Sequence, residues 1–177
     1  MATNNITNSN QKLSTSDSAT FAGLTLTGTY TNANQPAFGA YNNTQRDDVT
    51  GDGTLYTLIF NVEDYDQASN FDGTSTFTAP VTGIYHFDIS VLIRGLSSSF
   101  TGYVLSLVTT TETHEFGAGN PGAMRDANNN IIITGSLTVK MSATNTAVAK
   151  IVVSGSTKTV DIGSINQDTY FSGFLVC

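Results

Sequence analysis

A chain of 177 residues with 39% hydrophobic content can bury one core of ordinary size. Only 12% of its residues are charged, and 7 Lys and Arg against 14 Asp and Glu leave a formal net charge of -7, which excludes recognition of nucleic acid through clustered cations. No apolar run reaches membrane-spanning length, residues 1–10 lack the basic and apolar regions of a secretory signal, and the single cysteine, Cys177, rules out an intrachain disulfide. With so few charges, the surface must be built of Thr, Ser, Asn and Gly, a composition common in β-architectures exposed outside cells.

Residues 1–35 read as a polar leader. Up to about residue 20 they are rich in Asn, Ser and Thr without a period that could bury a face, so alone they are expected to be disordered or extended. A short strand follows in 21–30, where Leu24 and Leu26 alternate with Thr25 and Thr27. The phrase Gly23-Leu24-Thr25-Leu26-Thr27-Gly28 is similar to segments of bacteriophage tail-fibre and spike proteins, in which short strands of three chains wind together; an ordinary edge strand fits it equally.

Residues 36–177 read as one all-β domain. Pro36-Ala37-Phe38-Gly39-Ala40-Tyr41 is the first strand, and 42–53 is a polar loop holding Asp47, Asp48 and Asp52. Residues 55–62 predict one strand with Tyr56, Leu58, Phe60 and Val62 on a shared face. Residues 71–93 then give a short strand, a corner at Ala79-Pro80-Val81-Thr82-Gly83, and a long strand. In the long strand Tyr85, Phe87, Ile89, Val91 and Ile93 face one way and His86, Asp88 and Ser90 the other. A turn at 95–99 precedes the inward row Tyr103, Leu105 and Leu107, and 112–130 reads as the longest irregular region. Strand resumes in 131–141, and 147–162, turning at Ser154-Gly155-Ser156, reads as a hairpin. No segment has a helical period. Eight to ten strands fit a jelly-roll β-sandwich of two antiparallel sheets.

Three stretches carry a family resemblance. Phe60, Asp66, Phe71, Phe77, Gly83, Tyr85 and Phe87, with the Ala79-Pro80 corner, form a frame that resembles the globular head of complement component 1q, the jelly roll shared with the tumour necrosis factor superfamily. The ending Tyr170-Phe171-Ser172-Gly173-Phe174-Leu175 is similar to that family's last strand, and Phe38-Gly39-Ala40-Tyr41 to its opening. The interval from Phe71 to Phe77 is one residue shorter than the family's, and Ile89 stands where an aromatic is common. The resemblance implies a homotrimer with one sheet packed around a threefold axis. It also implies that Phe38, Tyr41, Tyr85, Phe87, Phe171 and Phe174 divide between core and trimer interface.

Catalytic constellations are missing from the sequence. His86 and His114 sit in no zinc-binding or nucleophile spacing, and Cys177 has no scaffold to hold it against a base. Glu63, Asp64 and Asp66, like Glu112 and Glu115, are neighbours in sequence, which does not set the separation that two-carboxylate glycan hydrolysis needs. No cofactor is expected. Calcium at Asp47, Asp48 and Asp52 is the one metal site to consider, although the loop lacks the register and terminal Glu of a helix-loop-helix site.

The expected protein is a non-catalytic trimeric head of a virion fibre or appendage. Its leader joins other particle proteins, and its loops 42–53, 64–73, 95–101 and 117–130 bind a host-surface glycan or protein. The expected location is the virion surface, with a spore or cell exterior as the alternative and no insertion into a membrane. A structural particle decoration, a spore-coat filament tip, or a glycan depolymerase are the competing readings.

Overall fold

The structure is a computed structural model that describes residues 35–177. The leader strand expected in 21–30 lies outside the described residues. Two antiparallel sheets face each other. The larger contains β1 (Ala37–Tyr41), β2 (Arg46–Thr50), β4 (Val62–Gln67), β6 (Gly83–Arg94), β9 (Ile131–Met141), β11 (Val160–Ile162) and β12 (Tyr170–Leu175). The smaller contains β3 (Leu55–Thr57), β5 (Thr76–Thr78), β7 (Gly102–Thr109), β8 (Thr113–Gly119) and β10 (Thr146–Ser154). One helical turn, α1 (Pro121–Met124), interrupts them.

The long strand β6 is the spine of the larger sheet. It pairs along its whole length with β9 on one side and with β12 and β11 on the other. Its alternation is realised as expected: Tyr85, Phe87, Val91 and Ile93 are fully buried and Ile89 almost so, while Ile84 and Asp88 are exposed. β1 continues the sheet through β12, pairing Phe38 with Gly173 and Ala40 with Phe171. Gly173 is required there, because a Cβ would stand 2.5 Å from the Phe87 ring and 2.9 Å from that of Phe38.

Between the sheets lies an aromatic core. Phe38 stacks on Phe71 and Phe77 at 4.9 and 5.1 Å and meets Phe171 edge-on at 4.9 Å, while Phe77 contacts Tyr85 and Phe87. The Asp66 carboxylate accepts from the Asn70 and Phe71 N–H groups, which holds a turn whose residues Ala68 and Ser69 both have positive φ. That bend, followed by the bridge from Phe71 to Phe77, delivers both rings onto Phe38 across the short interval.

Asp72 ties the same segment by accepting from the N–H groups of Thr74, Ser75 and Thr76. Burial, the largest single influence, would raise its pKa, but the donors of Thr76, Ser75 and Thr74 together outweigh it and hold the carboxyl below its ordinary 3.8. A pKa depressed by folding stabilises the protein above the ordinary carboxylate range and ceases to do so as pH falls through the folded value. Asp72→Ala is therefore expected to cost roughly 1 kcal/mol at neutral pH. Urea unfolding should show that difference narrowing below pH 3.8; a difference independent of pH would show that the carboxylate's charge is not involved.

Three expectations are corrected. Residues 55–62 are not one strand: β3 ends at Thr57, Leu58 and Phe60 are buried in an irregular crossing, and β4 begins at Val62 in the other sheet. The crossing is held because Leu58 N–H donates to Ala149 and Phe60 N–H to Thr74. Residues 147–162 are not a hairpin, since β10 pairs with β3, β5 and β7 whereas β11 pairs with β2 and β6. At the corner, Gly155 has φ +111° and packs on Ser99 and Thr101. The expected irregular region 112–130 contains β8, whose Gly117 and Gly119 mask its alternation, and the turn α1.

Candidate functional site

The outward face of the larger sheet is read from register. Crossing β12, β6 and β9, it presents the row Phe174, His86 and Thr138, then Ser172, Asp88 and Ser136, then Tyr170, Ser90 and Thr134. Ile84 opposite Lys140 closes the end near Pro36 and Cys177, and Leu92 opposite Ile132 closes the other. Apolar groups therefore sit at both ends and polar ones in the middle. Phe174, Ile132 and Ile84 are 45, 49 and 38% exposed.

In the polar middle, His86 Nε2 lies 3.1 Å from Asp88 Oδ2 and 3.3 Å from Ser136 Oγ, and its Nδ1 is 3.2 Å from Thr138 Oγ1. Phe174 lies against the imidazole, with ring centroids 5.2 Å apart. Beside them is an open hollow of about 510 Å³ lined by Asp88, Ser90, Thr134, Ser136, Tyr170 and, at the sheet edge, Phe116. Tyr170 is pushed up to a pKa of about 12, by burial first and then by Tyr65 and Asp64. Its hydroxyl and the Tyr65 ring cover Gly39, where a Cβ would collide with both.

The six aromatic candidates separate on this geometry. Phe38, Tyr85, Phe87 and Phe171 are fully buried between the sheets. Phe174 is on the outward face, and Tyr41, opposite Tyr170 in register, is half-buried at its margin.

The candidate loops separate as well. Residues 42–45, 51–54, 95–101 and 120–130 gather at the end of the sandwich away from Pro36 and Cys177. They are joined there by 155–159 and 163–169 through bonds such as Asn42 N–H to Thr169, Leu96 N–H to Asn129 and Gly51 N–H to Val153. The predicted loop 64–73 is not among them. Its first part is strand β4, and its remainder lies at the opposite end, where Asn70 accepts from Thr78 N–H and the following corner bonds Asn145. Pro36 and Cys177 are at that proximal end too, accepting from the N–H groups of Leu175 and Ile84.

The acidic stretch predicted as a loop is strand β2 at Asp47 and Asp48 and a bend at Asp52, and its acidic residues are committed to holding that shape. Asp47 accepts from the Gln45 amide, Asp48 has φ +55° with its N–H on Asp161, and Asp52 accepts from Thr54 N–H. Among the described residues no three His, Cys, Asp or Glu side chains converge as metal ligands would. The histidines stand apart in the fold: His86 is on β6, and His114, on β8 of the other sheet, lies 3.0 Å from Glu112. The described helical turn is far too short to cross a membrane.

What sequence reasoning missed is a distal cluster of Leu92, Met124, Ile132 and Ile165. One signal was present. Ile131-Ile132-Ile133 is an apolar run inside a strand, and alternation requires its middle member to point away from the core.

No family model and no curated protein matches the chain. Solved structures do. The globular domain of zebrafish complement 1qA is similar over 81% of this chain and 98% of its own, with 18% identity and a TM-score of 0.54. Murine APRIL at pH 5.0 is similar over 80% of this chain and 99% of its own, with 10% identity and a TM-score of 0.54. At such identity the likeness is one of fold, and the fold is the jelly roll common to complement 1q heads and the tumour necrosis factor superfamily.

Proposed function

We propose that this chain is the homotrimeric, non-catalytic head of a virion fibre or appendage. Its copies pack through the proximal part of the larger sheet's outward face, and its distal loops meet a receptor on the host surface. The observation that carries the reading is the uncovered proximal part of that face, where Ile84 and Phe174 stand exposed on one sheet. The smaller sheet has no comparable face: of its strand residues, only Leu55 on β3 is a large apolar side chain left exposed. Packing that part of the face around a threefold axis removes it from water. Pro36 lies at the proximal end of the sandwich, opposite the distal loops. A trimer then offers three sets of loops to one surface, which raises avidity without new contacts.

Light scattering on the full chain should give three times the 18.7 kDa of one chain, and labelled protein should adhere to cells of a susceptible host. A monomer at all working concentrations overturns the trimeric head. A trimer that adheres to no host cell supports a structural decoration instead.

A further inference from the structure

The distal end of the larger sheet holds an open groove of about 470 Å³. Leu92 of β6 and Ile132 of β9, paired in register, lie beneath it; Met124 of α1 and Ile165 of the turn 163–169 flank it. Met124, Ile132 and Ile165 are 53, 49 and 47% exposed, so three of the nine large apolar side chains exposed among the described residues meet in one groove.

Both flanks are built rather than loose. Leu92 is buried because the turn 163–169 folds over it: Gly163 N–H donates to the Leu92 carbonyl, and Leu92 N–H donates to Thr169 Oγ1. Thr169 Oγ1 in turn donates to the Gly163 carbonyl, and Ser90 Oγ donates to that of Asp168. On the other side α1 seats against residues 97–100 through Gly122, where a Cβ would lie 2.5 Å from the carbonyl oxygens of Ser97 and Phe100.

The charged groups lining the groove are both carboxylates, Asp126 and Asp168. Asp126 accepts from the Asn128 and Asn130 N–H groups, whereas no described residue donates to the Asp168 carboxylate. Arg125 is not among the lining residues; its guanidinium donates to the Gly122 carbonyl and to Asn129 Oδ1. An anionic glycan meets repulsion here, and a neutral sugar finds no aromatic face among the lining residues on which to lie. A side chain with an aliphatic stem and a cationic head matches both the apolar walls and the anionic rim.

We infer that the groove binds a Lys or Arg side chain, flanked by an aliphatic residue, on a protein of the host surface. The inference rests on the reading of the distal end as the receptor-binding end, and it selects protein over glycan as the ligand class of this groove.

The test is titration of the isotope-labelled full chain, followed by NMR, with acetyl-Leu-Lys-Leu-amide, acetyl-Leu-Glu-Leu-amide and a sialylated trisaccharide. The lysine peptide is expected to shift the signals of Leu92, Ile132 and Ile165, and Asp168→Asn should weaken it at least about fivefold. Equal binding of the glutamate peptide, or shifts from the sugar alone, overturns the inference. Ile165→Glu should keep the parent's solution mass and lose adhesion to host cells. A changed mass would mean that a second copy covers the groove, and retained adhesion would place the contact elsewhere on an intact head; either outcome overturns the inference. A parent that neither trimerises nor adheres defeats the head reading instead, and the peptide titration, which needs neither property, still decides the groove.

Discussion

Phe38→Ala is expected to lower the free energy of unfolding by about 3–5 kcal/mol, the range for removing a fully buried aromatic ring from a packed core. Phe38 is the hub of that core, with Phe71, Phe77 and Phe171 all within 5.1 Å of its ring centroid. Those rings come from the turn after β4, from β5 and from β12, so the cavity left by truncation opens toward both sheets at once. Stabilities of single domains lie near 5–15 kcal/mol, and the loss is therefore a large share of the whole. Urea unfolding at fixed protomer concentration reads it directly, since assembly would make the midpoint depend on concentration. Phe174→Ala is the control: that ring is 45% exposed on the outward face, and its loss should change the stability of an isolated protomer by well under half as much. Equal losses at the two positions would contradict the division between core and surface.

Phe174→Asp should abolish the trimer while leaving the protomer folded. In a single chain the new carboxylate would stand in water beside His86. At a self-associating face it would be desolvated in every copy, close to the Asp88 already there. A central aromatic lost from an interface typically costs 2 kcal/mol or more, roughly a 30-fold weaker association per contact. Light scattering should then report one chain at concentrations where the parent reports three, with an unchanged far-ultraviolet spectrum. Lys150→Glu, on β10 of the other sheet, should leave the mass alone. A Phe174→Asp protein that still weighs three chains would remove this face from the interface and with it the principal support for a multivalent head.

The strand of the fold that reads most plainly is β6. Period-2 alternation is a local property, and wherever one side of a sheet is buried it determines which residues go inside without reference to the rest of the chain. The corner at Ala79-Pro80 is equally local, and the ending Phe171-Ser172-Gly173 is legible through its family resemblance. Pro80 cannot donate to a ladder, and Gly173 is needed wherever the ring of Phe87 must lie flat against the strand. These segments were enough to determine an all-β jelly roll.

Which sheet a strand joins is a different kind of fact. Residues 55–62 look like one strand, and 147–162 like a hairpin, because alternation continues through both. The chain nevertheless changes sheets at Leu58–Phe60 and at Gly155, where its hydrogen-bond partners, Ala149, Thr74 and Thr101, come from distant segments. Exposure is non-local for the same reason. Leu92 and Ile132 stand side by side on one outward face, yet Leu92 is 6% exposed and Ile132 49%, because the turn 163–169 folds over the first and not over the second. By itself the sequence determined the inward row of β6 and an all-β chain, which follow from local periodicity and backbone chemistry, while the jelly roll and its aromatic frame were legible through the family resemblance. Only the tertiary structure decided that three of the four candidate loops share the distal end, that Phe174 faces outward while Phe171 is core, and that an apolar groove with an anionic rim lies beside α1. Each of these depends on what a distant segment covers or leaves open.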